Sequence, residues 1–456
     1  MQIPLLIPVE NQVRELDPKL LLATCAAKSG IPSYIGYRTE MDIIISSLPR
    51  GIYLAKSFTQ RSDKMFRILS KLGHIICAWD EEALVHYPPD IYFTRRLSAT
   101  ALHYVSHLFA WGKDNESLFR DFPQFPHELP IHLVGNPSLD LLRKEFSTFY
   151  QNEISRIQQQ HGNFILINTN FGNVNAHLPY LNLFVDKDKQ GNYLTMGRGA
   201  TGMSHEYAEG RAKFKQTIYE HFMSLLPMLA ETFNELDIVV RPHPVENKHP
   251  YEELAAKHKN IKVVQRGNVI PWLRAARAII HSGCTTGIEA YLSERPAVSY
   301  VPLVEKRFGY DAQLPDQLSY MCTTQAEVAT TVNNIIAGNQ PALTSTALLD
   351  YVDFHQDTLC CSKIIDVLQK INSDEINNKQ HQHLLHGWLL ANKRRLIKRV
   401  KSTSPRSKYN KSFQEARFPT LDESDLTYKI NSFSEALGMD TPPTIKPVSP
   451  HIFLVQ

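Results

Sequence analysis

At 456 residues with 43% hydrophobic side chains, the chain is long enough for two domains of ordinary size, each with its own core. A net charge of only +3 argues against nucleic acid as the main partner, which calls for a strongly basic face. Six cysteines without CxxC spacing predict reduced, buried thiols in a cytosolic setting and no zinc site. No run of about 18 uncharged apolar residues is present to span a membrane.

Met1–Glu10 lacks a basic n-region, a long apolar core and a cleavage site, so it reads as a first strand and not a signal peptide. Residues 1–150 then alternate strand-length runs (Leu5–Val9, Ser33–Tyr37, His74–Trp79, His107–Trp111, Ile131–Val134) with helical spacing over Leu20–Ala27 and Lys64–Leu72. Asn136-Pro137 is a turn signal, and Leu141–Gln160 predicts a connecting helix. A second unit, 151–373, opens with a strand over Asn163–Asn168. The polar segment 170–210 is by its length either a functional loop or partly helical. Helical spacing over Phe214–Phe233 leads into Asp237–Val240. Ile261–Val264, Val269–Ala276, Ala278–His281, a helix over Thr286–Leu292 and Ala297–Tyr300 follow. The expectation is an α/β chain with two Rossmann-like parallel-sheet domains facing a cleft lined by strand carboxyl ends.

Residues 374–456 read as a helical, basic C-terminal extension. Lys393, Arg394, Arg395, Lys398, Arg399, Lys401, Arg406, Lys408 and Lys411 have no acidic residue among them, and Leu384, Leu385, Trp388, Leu389, Leu390, Leu396 and Ile397 add apolar side chains. Either this segment rests on the anionic inner face of a membrane or it packs its apolar edge on the body.

Two segments carry the chemistry. Val239-Val240-Arg241-Pro242-His243-Pro244 and Ile279-Ile280-His281-Ser282-Gly283-Cys284-Thr285-Thr286 each stop an apolar strand abruptly at polar residues. In the second, Ser282, Gly283, Thr285 and Thr286 surround a glycine turn at a helix N-terminus, where free N–H groups and the helix dipole favour an anion. The pair reads as two halves of one nucleotide-phosphate site. His243 can donate to a leaving phosphate near neutral pH. Arg241 either neutralises that phosphate, grips a donor carboxylate or forms a strand-end salt bridge. Glu289, one turn into the helix, either accepts from ribose hydroxyls or complements the helix dipole. Asn168 and Asn170 either bind the sugar or serve the turn after their strand. His249-Pro250 repeats the dipeptide without a preceding strand and reads as a loop.

In the first unit, Asp80, Glu81 and Glu82 follow a strand. Glu81 and Glu82 are candidate bases for an acceptor hydroxyl, the alternative being a helix-capping acid cluster. Glu15, with Arg14, is the rival on the acceptor side. For a covalent intermediate the nearest acids are Glu206 and Glu209, with Asp186 and Asp188 upstream. Asp186-Lys187-Asp188 fits a metal-binding DxD pattern but follows no strand, so no metal or other cofactor is expected.

The ordered motifs Arg14-Glu15-Leu16-Asp17, Leu48-Pro49-Arg50-Gly51-Ile52-Tyr53-Leu54-Ala55-Lys56-Ser57, Asp80-Glu81-Glu82, Phe109-Ala110-Trp111-Gly112, Gly135-Asn136-Pro137, Asn168-Thr169-Asn170-Phe171 and Arg241-Pro242-His243-Pro244 resemble the bacterial surface carbohydrate biosynthesis proteins. That group is similar to the retaining β-Kdo transferases of lipopolysaccharide and capsule assembly, and more distantly to bacterial sialyltransferases, all GT-B enzymes. The resemblance implies a CMP-activated ulosonic acid donor, with His243-Pro244 and Ser282, Thr285 and Thr286 on the CMP phosphate. It also implies a cell-surface glycan acceptor, lipid-linked; a cytoplasmic location, peripheral on the inner face of the inner membrane if the basic tail rests there, follows from the cysteines and the tail. Asp80-Glu81-Glu82 resembles the family's acidic motif, with Ala83 where glycine is usual. A UDP-sugar or CDP-glycerol transferase of the same architecture, or a non-catalytic scaffold for envelope assembly, are the competing readings.

Overall fold

The computed structural model describes residues 3–186, 188, 190–354, 357–371, 383–404, 407, 409–410, 414–415 and 418–456; Lys187, Arg406, Lys408 and Lys411 lie outside these. The chain forms two units. One comprises Met1–Leu84, Arg96–Phe149 and Leu349–Gln456, the other Val85–Arg95 and Tyr150–Leu348.

The strands, in chain order, are β1 (Leu5–Val9), β2 (Ser33–Tyr37), β3 (Ile52–Ala55), β4 (Ile75–Ala78), β5 (His107–Ala110), β6 (Ile131–Leu133), β7 (Phe164–Asn168), β8 (Asp237–Arg241), β9 (Ile261–Val263), β10 (Ala278–His281), β11 (Ala297–Tyr300), β12 (Tyr320–Cys322), β13 (Ile445–Ser449) and β14 (Ile452–Val455). In the first unit they run in the order β13-β14-β2-β1-β3-β4-β5-β6, and in the second β12-β11-β10-β7-β8-β9. β1 to β6 are mutually parallel, as are β7 to β12. Such strands are covered on both faces and read as continuous apolar runs, as Leu5–Val9 and Phe164–Asn168 do, every residue of both being buried. These are the two Rossmann-like parallel sheets expected. The reversal of strand order falls between β1 and β3 in the first unit and between β7 and β10 in the second.

The chain is partitioned differently from the expected 1–150, 151–373 and 374–456. Residues 349–373 belong to the first unit because the helix Cys360–Gln369 buries Cys360, Cys361, Ile364, Ile365 and Leu368. Its opening N–H groups, on Cys360 and Cys361, donate to the buried Asp140 carboxylate at 2.9 and 2.8 Å. The tail is not wholly helical. β14 pairs antiparallel with β2 and buries Ile452, Phe453 and Val455, so the last residues extend the first sheet. Val85–Arg95 goes with the second unit, where Tyr87 lies under the guanidinium groups of both Arg95 and Arg211, 4.6 Å from its ring centre in each case.

Other boundaries moved for local reasons. β3, fully buried, was not among the expected strands. The long helix of the second unit starts at His205, where the Ser204 side chain caps it by accepting from the Tyr207 N–H, so the polar segment 170–210 is partly helical. Leu141–Gln160 splits into a 3-10 stretch, Lys144–Tyr150, and a helix, Gln151–His161. All six cysteines are free thiols and five of them are buried. Among the described residues, no helix is long and apolar enough to cross a membrane.

Candidate functional site

The second unit's switch point holds the predicted phosphate residues. His281, Asn168 and Arg241 end β10, β7 and β8 in one register row across the carboxyl edge of the sheet. That edge, at the reversal of strand order, is where open α/β sheets bind ligands. Beyond β10 the chain turns at Gly283, whose φ of +67° favours glycine. A Cβ there would lie 2.5 Å from the Ala312 side chain. The Gly283 N–H donates to His281 Nδ1 at 3.1 Å, and His281 Nε2 pairs with Ser319 Oγ at 2.8 Å. Burial drops the imidazole's pKa to about 3, so this histidine is a neutral strut for the turn.

The loop after β7 ties the two halves together. Asn168 Nδ2 donates to Thr286 Oγ1 at 2.9 Å, and the Asn170 N–H donates to Ser282 Oγ at 3.1 Å. On the other flank, Thr169 Oγ1 and the Phe171 N–H donate to the Glu246 carboxylate, at 2.9 and 3.0 Å to its Oε1. The same carboxylate accepts from the His243 N–H at 3.0 Å and the Tyr251 hydroxyl at 2.7 Å. Glu246 is 2% exposed, and burial raises its pKa despite these donors. It fixes the backbone at His243, yet it was not anticipated, because an acid two residues past the His-Pro pair has the look of loop charge.

A cavity of about 300 Å³ in the second unit is lined by Lys215, Ser282, Gly283, Tyr300, Leu303 and Asp316, among others. Lys215 is 2% exposed and, among the described residues, makes no hydrogen bond or close ion pair, though its charge is felt by the Asp311 and Asp316 carboxylates. It is the second residue that sequence reasoning passed over; the available signal was a lysine on the apolar face of its helix, between Phe214 and Ile218. Asp316 accepts from Ser299 Oγ at 2.6 Å, and burial raises its carboxyl to about 6. Burial also lifts the Cys284 thiol to about 11, which leaves it protonated near neutral pH.

The other expected site residues have these surroundings. Arg241 donates to the carbonyls of Arg266 and Gly267 at 2.9 and 3.0 Å and stacks over Trp272. Those acceptors anchor the strand end, and among the described residues Arg241 forms no salt bridge. Thr286 is buried against Asn168, whereas Thr285 is exposed at the helix start. Glu289 is half-buried on that helix. Glu206, expected as the nearest acid for a covalent intermediate, is 79% exposed at its side chain and pairs with Arg307 at 3.1 Å. Glu209 pairs with Lys213 on the same exposed turn. Asp186 and Asp188 accept from the N–H groups of Thr195 and Asn192, each at 2.8 Å, and so hold their own loop. His249 opens a helix, 72% exposed.

The first unit carries a separate charged cluster at its own switch point. Glu10, Lys56 and Glu81 follow β1, β3 and β4, while Glu15 and Lys19 lie on the helix Gln12–Lys28. Glu15 pairs with Lys19 at 2.8 Å and Lys56 at 2.6 Å, and Lys19 reaches Glu81 at 3.6 Å. The Glu10 N–H also donates to Glu15. Although burial pushes the other way, the two lysines bring the Glu15 pKa down to about 2. Glu81 moves oppositely: burial raises it, and Lys19 only partly offsets that. Two carboxylates around one lysine are thereby driven apart in proton affinity.

The remaining members of the acidic motif do other work. Asp80 is 1% exposed and gives both oxygens to the Arg96 guanidinium, a contact that holds the fold. Glu82 is exposed in a turn, its N–H donating to Asp80. Arg14 is exposed on the first turn of its helix, capped by Asn11.

No protein-family model matches the chain, and no curated protein matches it. Among solved structures it is similar to the UDP-GlcNAc 2-epimerase of Methanocaldococcus jannaschii in complex with UDP-GlcNAc and UDP, at 13% identity over 81% of this chain and 99% of that one, with a TM-score of 0.48. The UDP-GlcNAc 2-epimerase of Neisseria meningitidis bound to UDP-GlcNAc is 12% identical over 81% and 100%, with a TM-score of 0.45. The wall teichoic acid polymerase TagF is 10% identical over 83% and 90%, with a TM-score of 0.45. With every TM-score below 0.5, the chemistry has to be read from this chain's own residues.

Proposed function

We propose that the chain is a glycosyltransferase that takes a CMP-activated ulosonic acid, Kdo or a close relative, and passes it to a cell-surface glycan. The observation that carries the anion site is Lys215: a buried ammonium on the wall of the cavity that Ser282 and Gly283 also line, in the field of Asp311 and Asp316 but hydrogen-bonded to neither. Departure of CMP leaves charge on a phosphate, and donors fixed in advance lower that barrier because they need no reorganisation. Ser282 accepts from Asn170 and retains its own O–H to donate. Thr285 opens the helix that follows the Gly283 turn, and the positive end of its dipole favours an anion there. His243, its N–H tied to Glu246, is assigned to hydrogen-bond or protonate the leaving phosphate. Glu81, with its raised proton affinity, is assigned to take the acceptor's proton. The ordered motifs resembling surface carbohydrate enzymes supply the preference for a CMP donor.

Thermal-shift titration with CMP, CTP, CDP and UDP tests this. CMP and CTP are expected to raise the melting temperature, with the effect lost in Lys215→Met. Stabilisation by UDP alone makes the chain a UDP-sugar transferase, and by CDP alone a CDP-alcohol one. If no nucleotide stabilises it and His243→Ala leaves surface glycan unchanged, the protein is a scaffold.

A further inference from the structure

The helix Leu384–Ser402 is built inside out. The face turned to the first unit carries Gly387, Ala391 and Lys398, all buried. A Cβ on Gly387 would meet the Lys71 backbone at 2.8 Å, so the contact is close. Arg394, on the same side, reaches Asp42 Oδ2 at 3.3 Å. Small and cationic residues thus face the protein.

The apolar residues face water. At about 100° per residue, Leu385, Leu389, Leu396 and Val400 fall within an arc of roughly 60°. They are 72%, 53%, 63% and 71% exposed. Lys393 borders this stripe on one side, and Arg399, Trp388 and Arg395 on the other, all exposed. Scattered surface leucines are ordinary, but a contiguous stripe marks an interaction surface.

We propose that this stripe seats the protein on an anionic phospholipid surface. Charge selects the occupant: the helix has six basic residues, Lys393, Arg394, Arg395, Lys398, Arg399 and Lys401, and no acidic one. A second copy docking through the same face would set these cations against each other. A bilayer supplies both acyl chains for the stripe and head-group charge for its borders, and Trp388 sits where an indole favours the interface.

Co-sedimentation of the full chain with phosphatidylcholine vesicles, with and without phosphatidylglycerol, tests the proposal. Binding is expected only with the anionic lipid and should weaken as salt rises. Each basic residue near such a surface is worth about fivefold in partitioning, so Lys393→Ser, Arg395→Ser and Arg399→Ser together should weaken binding about a hundredfold. Leu389→Ser, Leu396→Ser and Val400→Ser together should weaken it at least about tenfold. These side chains lie outside the core, so both variants should melt like the parent. The proposal is overturned by absent binding, by equal binding to neutral vesicles, or by undiminished binding of either variant. A lipid-free change of oligomeric state in the apolar variant also overturns it, because the occupant is then another copy.

Discussion

A buried ammonium that no side chain or carbonyl hydrogen-bonds is unfavourable, even with the Asp311 and Asp316 carboxylates nearby, which is why Lys215 is informative. Lys215→Met keeps the methylene stem and deletes the charge, so no direct bond of the fold is lost. The melting temperature should hold or rise, while nucleotide affinity falls about 10- to 100-fold, the range for a hydrogen bond to a charged group. A parallel fall in stability and affinity would instead make Lys215 a structural residue. The two carboxylates of the first unit separate in the same way. Glu15→Gln leaves Lys19, 2% exposed, and Lys56 short of a partner, and should destabilise by about 3–5 kcal/mol in chemical denaturation. Glu81→Gln should melt normally and lower kcat about a hundredfold to ten-thousandfold. A base must be ionised, so the parent's rate should climb with pH through Glu81's raised pKa, and this limb should vanish in the variant. Asp80, Glu81 and Glu82 were adjacent in sequence and alike in charge. What distinguishes them is burial and partners, Arg96 for one and Lys19 for another, which no local pattern encodes.

At the scale of elements, strand ends were readable because fully buried parallel strands leave unbroken apolar runs that stop at polar residues, as at Asn168 and His281. The direction in which a strand-end side chain points was not: Arg241 and Asn168 share a register row, yet one turns to backbone carbonyls and the other to Thr286. The turn after β10 depends on close packing of helix Thr285–Leu292, where a Cβ on Gly287 would lie 2.7 Å from His281 Nε2. Gly287→Ala should therefore destabilise by about 1–3 kcal/mol and weaken nucleotide binding together. His281 adds a pH dependence. Its folded pKa of about 3 lies below the ordinary value of 6.5, so between these values the unfolded chain binds a proton that the folded one refuses. Its contribution to stability is complete above about pH 6.5 and is lost as pH falls toward about 3. Melts of the parent and of His281→Asn, which keeps an acceptor near the Gly283 N–H, check this, the variant losing less between those values.

For the whole molecule, the consequential departure from expectation is the return of the last residues to the first sheet. A glycine inside a strand can signal close approach by another segment, and Gly36 does: a Cβ there would lie 1.9 Å from the His451 carbonyl oxygen. That signal pointed to a neighbour without naming it, because β14 is more than 400 residues away in the chain. β14 covers the edge of β2, which would otherwise present unpaired N–H and C=O groups. Deleting residues 445–456 removes Ile452, Phe453 and Val455 from the core and bares that edge. The expected result is a lower melting temperature together with concentration-dependent association in size-exclusion chromatography. Each lost side chain contributes about 1.5–3 kcal/mol when fully buried, so the effect should exceed that of any single substitution above. Nucleotide stabilisation, which the proposed function assigns to the second unit, should survive in whatever fraction stays soluble. Its loss would mean that the cradle at Ser282 depends on the completed first sheet.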